Sequence, residues 1–309
     1  MKCKATMGFG LWLAASFGVL VAGPDNGSFT VELNGREIHY SIRGKGPACM
    51  VLTNSWGLSQ QGLHGLFAGL EDHFTMIYFD TRGMGGSGPV KEDADYSMAA
   101  VREDFDALRG HLQLDKVRVI GWSNGAMNLM VYAAEHSDHI EAAVFMHGVA
   151  NITAQDIEYL QRERGAHFQK LGKFQGELFA GQQPDDEKNE QLKSFIIQEW
   201  FPELFADPEK GRARLPELYG NTQFSWRHMR YQNTVDMAGF DALPGLSKVN
   251  CRALVIAGRH DVLPPEKVGE AHRAIPNALF VVFEKSGHFS PIEEPGRFLK
   301  VICQFFNGS

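Results

Sequence analysis

A short glycine-containing pattern at the junction of a predicted strand and a predicted helix most constrains the fold of this chain. The sequence Gly121-Trp122-Ser123-Asn124-Gly125 directly follows an apolar run at 117–120 and precedes a helical segment at 126–134. The pattern G-x-S-x-G at such a junction is typical of a tight turn that lifts a serine hydroxyl above a sheet, and the turn requires small flanking residues. The helix that follows presents its N-terminus to the hydroxyl, which favours developing negative charge. The pattern therefore predicts that Ser123 is a nucleophile.

Short apolar runs alternate with helical periods on both sides of this turn. Runs at 28–34 and 36–43, joined by Asn34-Gly35, predict a β-hairpin. Further strands are predicted at 49–53, 74–80, 117–120, 140–146, 253–257 and 278–283, and helices at 99–112, 126–134 and 293–305. This alternation predicts an α/β fold, with a mostly parallel sheet flanked by helices on both faces.

The strand pattern is interrupted between about residues 150 and 249. Helices are predicted there at 152–171 and 187–200, separated by a polar stretch at 181–186, and the segment is rich in aromatic residues. We interpret it as a helical cap inserted into the α/β core. The predicted domain organisation is a core formed by 24–149 and 250–309, with a cap formed by 150–249.

The first 23 residues differ from the rest of the chain. Lys2 and Lys4 precede a stretch without charge at 5–23, which ends in the small residues Ala22 and Gly23. This order is typical of a secretory signal peptide, and an uncleaved membrane anchor is the alternative. We therefore expect an exported protein, secreted or periplasmic, or one that contacts a membrane only through residues 5–23.

Composition excludes several classes of function. The formal net charge is −7 and no Lys/Arg run occurs, so no nucleic-acid partner is expected. The four cysteines are isolated and no H-E-x-x-H pattern occurs, so neither a metal nor another cofactor is expected. The run 83–88 fits G-x-G-x-x-G, but Pro89 follows where a dinucleotide site would need a helix. We interpret this run as a structural turn.

Two further residues complete a predicted Ser-His-Asp triad. A serine hydroxyl is a weak nucleophile without a base, and this kind of fold is expected to supply Asp and then His after the serine in chain order. Asp261 follows the strand predicted at 253–257, and His288 follows the strand predicted at 278–283. We predict that His288 takes the Ser123 proton and that Asp261 orients the imidazole.

An oxyanion formed during attack needs two backbone N–H donors. The first predicted donor is Asn124, the residue after the nucleophile. The second is expected from the loop Thr53-Asn54-Ser55-Trp56-Gly57 after the third strand, with Ser55 as the candidate.

Four motifs carry a resemblance to a known family. They are Asp80-x-Arg82-Gly83-x-Gly85-x-Ser87, the turn around Ser123, Gly258-Arg259-His260-Asp261, and Ser286-Gly287-His288 followed by Glu293-Glu294-Pro295. Together they resemble the α/β-hydrolase superfamily and, within it, the proline iminopeptidase-like group. The resemblance implies a hydrolase without a cofactor, whose helical cap shapes an acyl or peptide pocket. The loop 53–57 departs from the group's His-Gly-Gly-Pro-Gly, and Asn124 stands where the group usually has Trp.

The sequence leaves three functions open, of which the first is the main prediction and the other two are alternatives to it. The first is an aminopeptidase that releases an N-terminal proline or a similar residue from a short peptide. It would need carboxylates near the pocket to bind the α-ammonium group, and Glu199, Glu203 and Glu217 are acids of the cap. The second is a carboxylesterase or lactonase acting on small apolar acyl compounds. The third is a ligand receptor without turnover.

Overall fold

The computed structural model describes residues 25–308, so the predicted signal or anchor segment lies outside the described residues and export stays a prediction. An eight-stranded sheet lies at the centre, in the spatial order β1-β2-β4-β3-β5-β6-β7-β8. Its strands are β1 (Gly27–Leu33), β2 (Arg36–Gly44), β3 (Ala48–Leu52), β4 (Thr75–Phe79), β5 (Val117–Trp122), β6 (Ile140–Met146), β7 (Arg252–Gly258) and β8 (Leu279–Phe283). β2 pairs antiparallel with β1 and β4, and the other pairs are parallel. The mostly parallel sheet that the sequence predicts is confirmed.

The predicted hairpin at the start of the described chain is formed by β1 and β2. Leu33 pairs with Arg36, so only Asn34 and Gly35 form the turn. Both have positive φ, 51° and 71°. Two consecutive positive φ angles define the type I′ turn, which asparagine followed by glycine adopts at low cost.

Eleven α-helices lie within residues 25–308. They are α1 (Gln61–Phe67), α2 (Met98–His111), α3 (Asn124–Glu135), α4 (Ala154–Ala180), α5 (Asp185–Phe195), α6 (Pro208–Tyr219), α7 (Trp226–Tyr231), α8 (Leu243–Leu246), α9 (Pro265–Ala274), α10 (Ser290–Glu293) and α11 (Pro295–Asn307). Two separate apolar clusters show that helices cover both faces of the sheet. On β5, Val119 belongs to the cluster that contains Phe105 of α2, whereas Ile120 belongs to the cluster that contains Phe67 of α1 and Ile302 of α11. None of the described helices is long and apolar enough to cross a bilayer.

Helices α4–α8 occupy the chain between β6 and β7. α4 begins with a capping box in which the Thr153 N–H donates to Asp156 Oδ2 at 2.8 Å. It ends at Ala180 and α5 begins at Asp185, so the predicted polar break separates two helices. The division of the chain into a core and a cap at residues 150 and 249 stays a prediction, and we use the term cap for residues 150–249.

The glycine-rich run 83–88 forms a tight turn. The Gly83 N–H donates to the Gly88 carbonyl at 2.8 Å, and the Ser87 N–H donates to the Met84 carbonyl at 2.9 Å. The turn is also fastened to the preceding strand, because the Ser87 hydroxyl donates to the Asp80 carbonyl at 2.8 Å. It has the structural character that the sequence predicts.

A buried ion network connects this turn to α2. Arg82 donates to Asp95 at 2.8 Å and to both oxygens of Asp104 at 2.7 and 2.8 Å, while Arg36 donates to Asp95 at 3.1 Å. Both carboxylates are only 1% exposed. Burial opposes the charge of Asp95, but backbone N–H groups and the two guanidinium groups lower its pKa to about 2.

We predict that Asp95→Asn lowers the free energy of unfolding by about 2 kcal/mol at pH 7, because Arg82 and Arg36 lose charged hydrogen bonds to Asp95 while Arg82 keeps those to Asp104. A depressed pKa gives stability that is complete above the unfolded-state value, near 3.9, and is lost as pH falls towards 2. Urea unfolding from pH 6 to pH 2 should therefore show a weaker pH dependence in the variant. The exposed neighbour Asp93 provides the control, and an equal loss in Asp93→Asn would contradict the prediction.

Candidate active site

Ser123 lies at the end of β5 in a strained turn, with φ 55° and ψ −122°. The strained conformation is possible because the residues two positions before and after Ser123 are glycines. A Cβ atom on Gly121 would lie 2.5 Å from the Gly125 carbonyl oxygen, and one on Gly125 would lie 2.5 Å from the Leu52 carbonyl oxygen. The two glycines of the motif are therefore required by the close approach of β5, α3 and β3.

Asp261 and His288 meet beside this turn, although 27 residues separate them. His288 Nδ1 lies 2.9 and 3.0 Å from the two oxygens of the Asp261 carboxylate. Asp261 follows β7 and His288 follows β8, two neighbouring parallel strands whose C-terminal ends meet at one edge of the sheet. Both residues are buried. The sequence-predicted acid and base are thus brought together by strand order.

The electrostatics of Asp261 favour a carboxylate. Burial alone would raise its pKa, but the adjacent His288 imidazole and a hydrogen bond from His147 hold the pKa of Asp261 well below its usual range. The Val262 N–H also donates to Oδ1 at 2.6 Å. Asp261 is therefore charged at neutral pH and available to orient an imidazole.

Ser123 and His288 line one cavity of about 400 Å³. Within residues 25–308 the hydrogen bonds of the His288 ring run to Asp261, and none joins it to the Ser123 hydroxyl. Nucleophile–base bonds are often long in free enzymes and tighten when substrate binds.

Among the described residues, the cavity lining contains no Asp, Glu, Lys or Arg side chain. His288 contributes an imidazole ring. Core residues and cap residues both contribute to it. The lining consists of Asn54, Trp56, Leu58, Trp122, Ser123, Asn124, Met127, Ile152, Leu171, Gln175, Trp200, Phe201, Leu204, Gln232, Asn233, Met237, Val262 and His288. Such a surface is suited to an uncharged, largely apolar ligand.

The loop 53–57 is arranged differently from the sequence prediction. The Ser55 N–H donates to Asn124 Oδ1 at 2.8 Å, and Ser55 is fully buried and absent from the cavity lining. Its N–H is thus already bonded, so the expectation that Ser55 donates to the oxyanion is corrected. Asn54 and Trp56 are the loop residues that reach the cavity. Asn124 is the first residue of α3, so its own N–H has no acceptor within the helix, and its role as an oxyanion donor stays a prediction.

Two residues hold the His288 loop in a way that the sequence analysis did not predict. Glu293 accepts the N–H groups of Gly287 at 2.9 Å and Phe289 at 3.1 Å, one on each side of His288. Burial raises the pKa of Glu293, and its backbone donors partly offset this. The Trp122 indole N–H donates to the His288 carbonyl at 2.9 Å. Glu293 belongs to the motif used for the family resemblance, which was a signal of a structural role.

His147 is a third residue that the sequence analysis missed. Its Nδ1 lies 2.9 Å from Asp261 Oδ2, an oxygen that also lies 3.0 Å from His288 Nδ1. It follows β6 directly, and a polar residue just past a parallel strand was the available signal. The three side chains have atoms within 4.8 Å of one another, a spacing that a metal ion could bridge. We assign them to hydrogen bonding, because both Nδ1–carboxylate distances are those of charge-assisted hydrogen bonds.

A second Ser-His-Asp chain of hydrogen bonds lies elsewhere in the molecule. Ser28 Oγ is 3.0 Å from His39 Nε2, and His39 Nδ1 is 2.8 Å from Asp80. Ser28 lies exposed on the edge strand β1, does not precede a helix, and does not line the cavity of Ser123. Connectivity alone thus does not distinguish a catalytic serine, whereas the turn, the helix N-terminus and the cavity do.

The family described as alpha/beta hydrolase fold matches residues 50–295. The chain belongs to the α/β-hydrolase fold family. A proline iminopeptidase of Heyndrickxia coagulans is 24% identical over 274 residues, covering 87% of this chain and 93% of that protein. A protein of Homo sapiens named serine hydrolase BPHL is 29% identical over 263 residues, covering 82% of this chain and 75% of that protein.

A solved structure supports the same fold. The enol-lactonase of Burkholderia xenovorans LB400 matches with a TM-score of 0.68 and 23% identity, covering 90% of this chain and all of that chain. The family and the two relatives named above identify the chain as a hydrolase and confirm the predicted resemblance to the proline iminopeptidase-like group.

We predict that a fluorophosphonate modifies Ser123 and leaves Ser28 unmodified, because Ser123 has a base, a cavity and a helix N-terminus beside it. Intact mass and peptide mapping would measure the modification. Ser123→Ala should abolish it, and Ser28→Ala should label as fast as the unaltered protein. Modification at Ser28, or undiminished labelling of Ser123→Ala, would show that the reactive serine has been assigned wrongly.

Proposed function

We propose that this hydrolase cleaves esters or lactones of small, uncharged, largely apolar acyl compounds through an acyl-enzyme on Ser123. The absence of charged side chains among the described residues that line the cavity carries this proposal. An uncharged acyl group loses little hydration there, whereas a charged group would lose its hydration without gaining a partner.

The residues have the following roles. When substrate brings the Ser123 hydroxyl and His288 within hydrogen-bond distance, His288 takes the proton as the oxygen attacks the acyl carbonyl. His288 then gives the proton to the leaving alcohol, and water repeats the sequence to release the acid. Asp261 holds the Nδ1–H tautomer of His288 and stabilises the imidazolium. The Asn124 N–H and a backbone N–H of the loop 53–57 stabilise the oxyanion.

The cavity is poorly suited to an aminopeptidase substrate, which has a charged α-ammonium group. None of the three cap acids considered for binding an α-ammonium group lines the cavity. Glu199 pairs with Lys170, Glu203 with Arg212, and Glu217 with Arg214, all at the surface of the cap. The sequence alone selects none of these acids, and none of them contributes to the cavity lining.

Proline iminopeptidase activity is the second candidate. It is favoured by the relative of that name, which aligns with most of this chain. The side-chain oxygens of Gln175, Gln232 or Asn233 would then have to bind the amine, since these are neutral acceptors in the cap part of the lining. A small ester, a lactone and a short peptide are all small substrates, so the expectation of a small-molecule or peptide partner belongs to either candidate.

We predict that the purified chain hydrolyses p-nitrophenyl butyrate and a neutral γ- or δ-lactone much faster than proline β-naphthylamide. A cationic amine in this cavity lacks a carboxylate partner, so we expect at least roughly a 100-fold difference in kcat/KM, or about 2.7 kcal/mol. Ser123→Ala provides the background rate for each substrate. Faster cleavage of the naphthylamide would establish the second candidate, and no turnover together with no labelling of Ser123 would favour a ligand receptor.

Asn124 provides a test of the oxyanion region. Its Oδ1 accepts both the Ser55 N–H and the Ser55 hydroxyl, at 2.8 and 3.2 Å, so it fastens the loop 53–57 to the start of α3. Asn124→Leu leaves the buried Ser55 N–H without an acceptor. Because small misplacements of catalytic groups are costly, we expect kcat for the ester to fall roughly 10- to 100-fold with little change in KM.

Ser55→Ala serves as the comparison, because it removes only the longer hydroxyl contact and keeps the backbone bond. We expect a loss of less than about threefold, as for a minor neutral hydrogen bond. Equal losses in the two variants would show that the Ser55 backbone bond does not position the oxyanion donors.

A further inference from the structure

The triad carboxylate accepts a hydrogen bond from a second imidazole, that of His147, whose contacts are complete. Its Nδ1 lies 2.9 Å from Asp261 Oδ2, and its Nε2 lies 2.9 Å from the Ser290 hydroxyl. The His147 side chain has no exposed surface, and Ser290 is fully buried. The His147 backbone N–H donates to the Ile256 carbonyl of β7 at 2.9 Å, so both backbone and side chain are held.

These contacts determine the protonation state of His147. Asp261 is a carboxylate and only accepts, so Nδ1 carries the proton and the Ser290 hydroxyl donates to Nε2. Burial lowers the pKa of His147, and the bond to Asp261 offsets this only in part. His147 is therefore a neutral donor, unlike His288, which must become cationic during catalysis.

We propose that His147 is a positioning residue of the catalytic triad, which fixes the Asp261 carboxylate and sets how strongly that carboxylate promotes protonation of His288. This rests on the proposed hydrolytic function of Ser123. A neutral N–H bonded to Oδ2 spreads part of the carboxylate charge away from His288. Without this hydrogen bond, the carboxylate stabilises the protonated form of His288 more strongly. As the pH falls, His288 is then protonated, and stops acting as a base, at a higher pH.

The other charged groups around the cluster do not take over this role. Glu293 is bound to the backbone N–H groups of Ala206, Gly287 and Phe289. Arg164 donates to the His260 carbonyl at 3.2 Å from an exposed position. Neither bonds to the Asp261 carboxylate, so His147 and His288 are the two imidazoles that share it.

The test is the pH profile of fluorophosphonate labelling of Ser123, which needs no knowledge of the substrate. His147→Phe removes both nitrogens at similar bulk. We expect its labelling rate to fall at least about tenfold at pH 8, and the acidic limb of the profile to shift upward by about 0.5 pH unit or more. His147→Asn retains an amide N–H near the position of Nδ1, and asparagine tolerates the positive φ of 56° at this residue. The acidic limb of His147→Asn should lie within about 0.2 pH unit of the limb of the unaltered protein.

Ser290→Ala gives a second variant in case His147→Phe fails to fold. It leaves the ring and its bond to Asp261 in place but removes the hydroxyl bonded to Nε2, so the ring is held less firmly and we expect a smaller upward shift of the same limb. A purely structural role would lower the rate in these variants while leaving the limb where it is, and that result would overturn the proposal. Thermal unfolding identifies variants that have not folded.

The same experiment separates this inference from the proposed function. If the unaltered protein is labelled at Ser123 but hydrolyses neither esters nor lactones, the substrate proposal fails and the pH profile still measures the role of His147. If the unaltered protein is not labelled at all, Ser123 is not activated, and both proposals are overturned.

Discussion

The Asp261 carboxylate is the group on which the arrangement of the site depends. A buried charge is stable only when hydrogen-bond donors surround it. Here the Val262 N–H and the imidazoles of His147 and His288 supply them. Because these donors come from the ends of different strands, the charge holds the carboxyl edge of the sheet together and orients the His288 ring.

Strand order explains how distant parts of the chain reach this carboxylate. β5, β6, β7 and β8 are consecutive neighbours in the sheet and run parallel. Each is followed by one polar residue of the site: Ser123, His147, Asp261 and His288 in turn. Carboxyl ends of parallel strands meet at one edge, so strand pairing brings together groups that are up to 165 residues apart in the chain.

The cap adds a second constraint, since the His288 N–H donates to the Leu204 carbonyl and the Ala206 N–H donates to Glu293. A movement of the cap at residues 204–206 would therefore disturb the base as well as the cavity.

Sequence reasoning succeeded where one local rule determines the outcome. The turn at Asn34-Gly35, the strand before Ser123 and the sheet with helices on both faces follow from backbone preference and apolar periodicity.

Sequence reasoning failed where the outcome depends on which group a side chain or backbone N–H contacts. The Ser55 N–H is directed to Asn124 by a buried contact across 69 residues, and nothing near Ser55 in the sequence encodes that contact. Helices α1 and α9 were not predicted, because two glycines interrupt α1 and few large apolar residues mark the buried side of α9. His147 has no motif around it, and its role depends on the strand order.

The triad and the cap determine different properties of the enzyme. The proposed triad would provide hydrolysis in general, and nothing in its geometry distinguishes an ester from a peptide. Selectivity has to come from the lining, where the cap contributes residues such as Leu171, Trp200 and Gln232. Glu199, Glu203 and Glu217 of the cap are paired with Lys170, Arg212 and Arg214 at its surface, so their charge is neutralised outside the cavity lining. Placing an ammonium group in the cavity would remove its hydration without supplying a counter-charge, a penalty of several kcal/mol that neutral acyl compounds avoid. We therefore propose that the charge-free lining, more than the resemblance to peptidases, decides which substrates this hydrolase accepts.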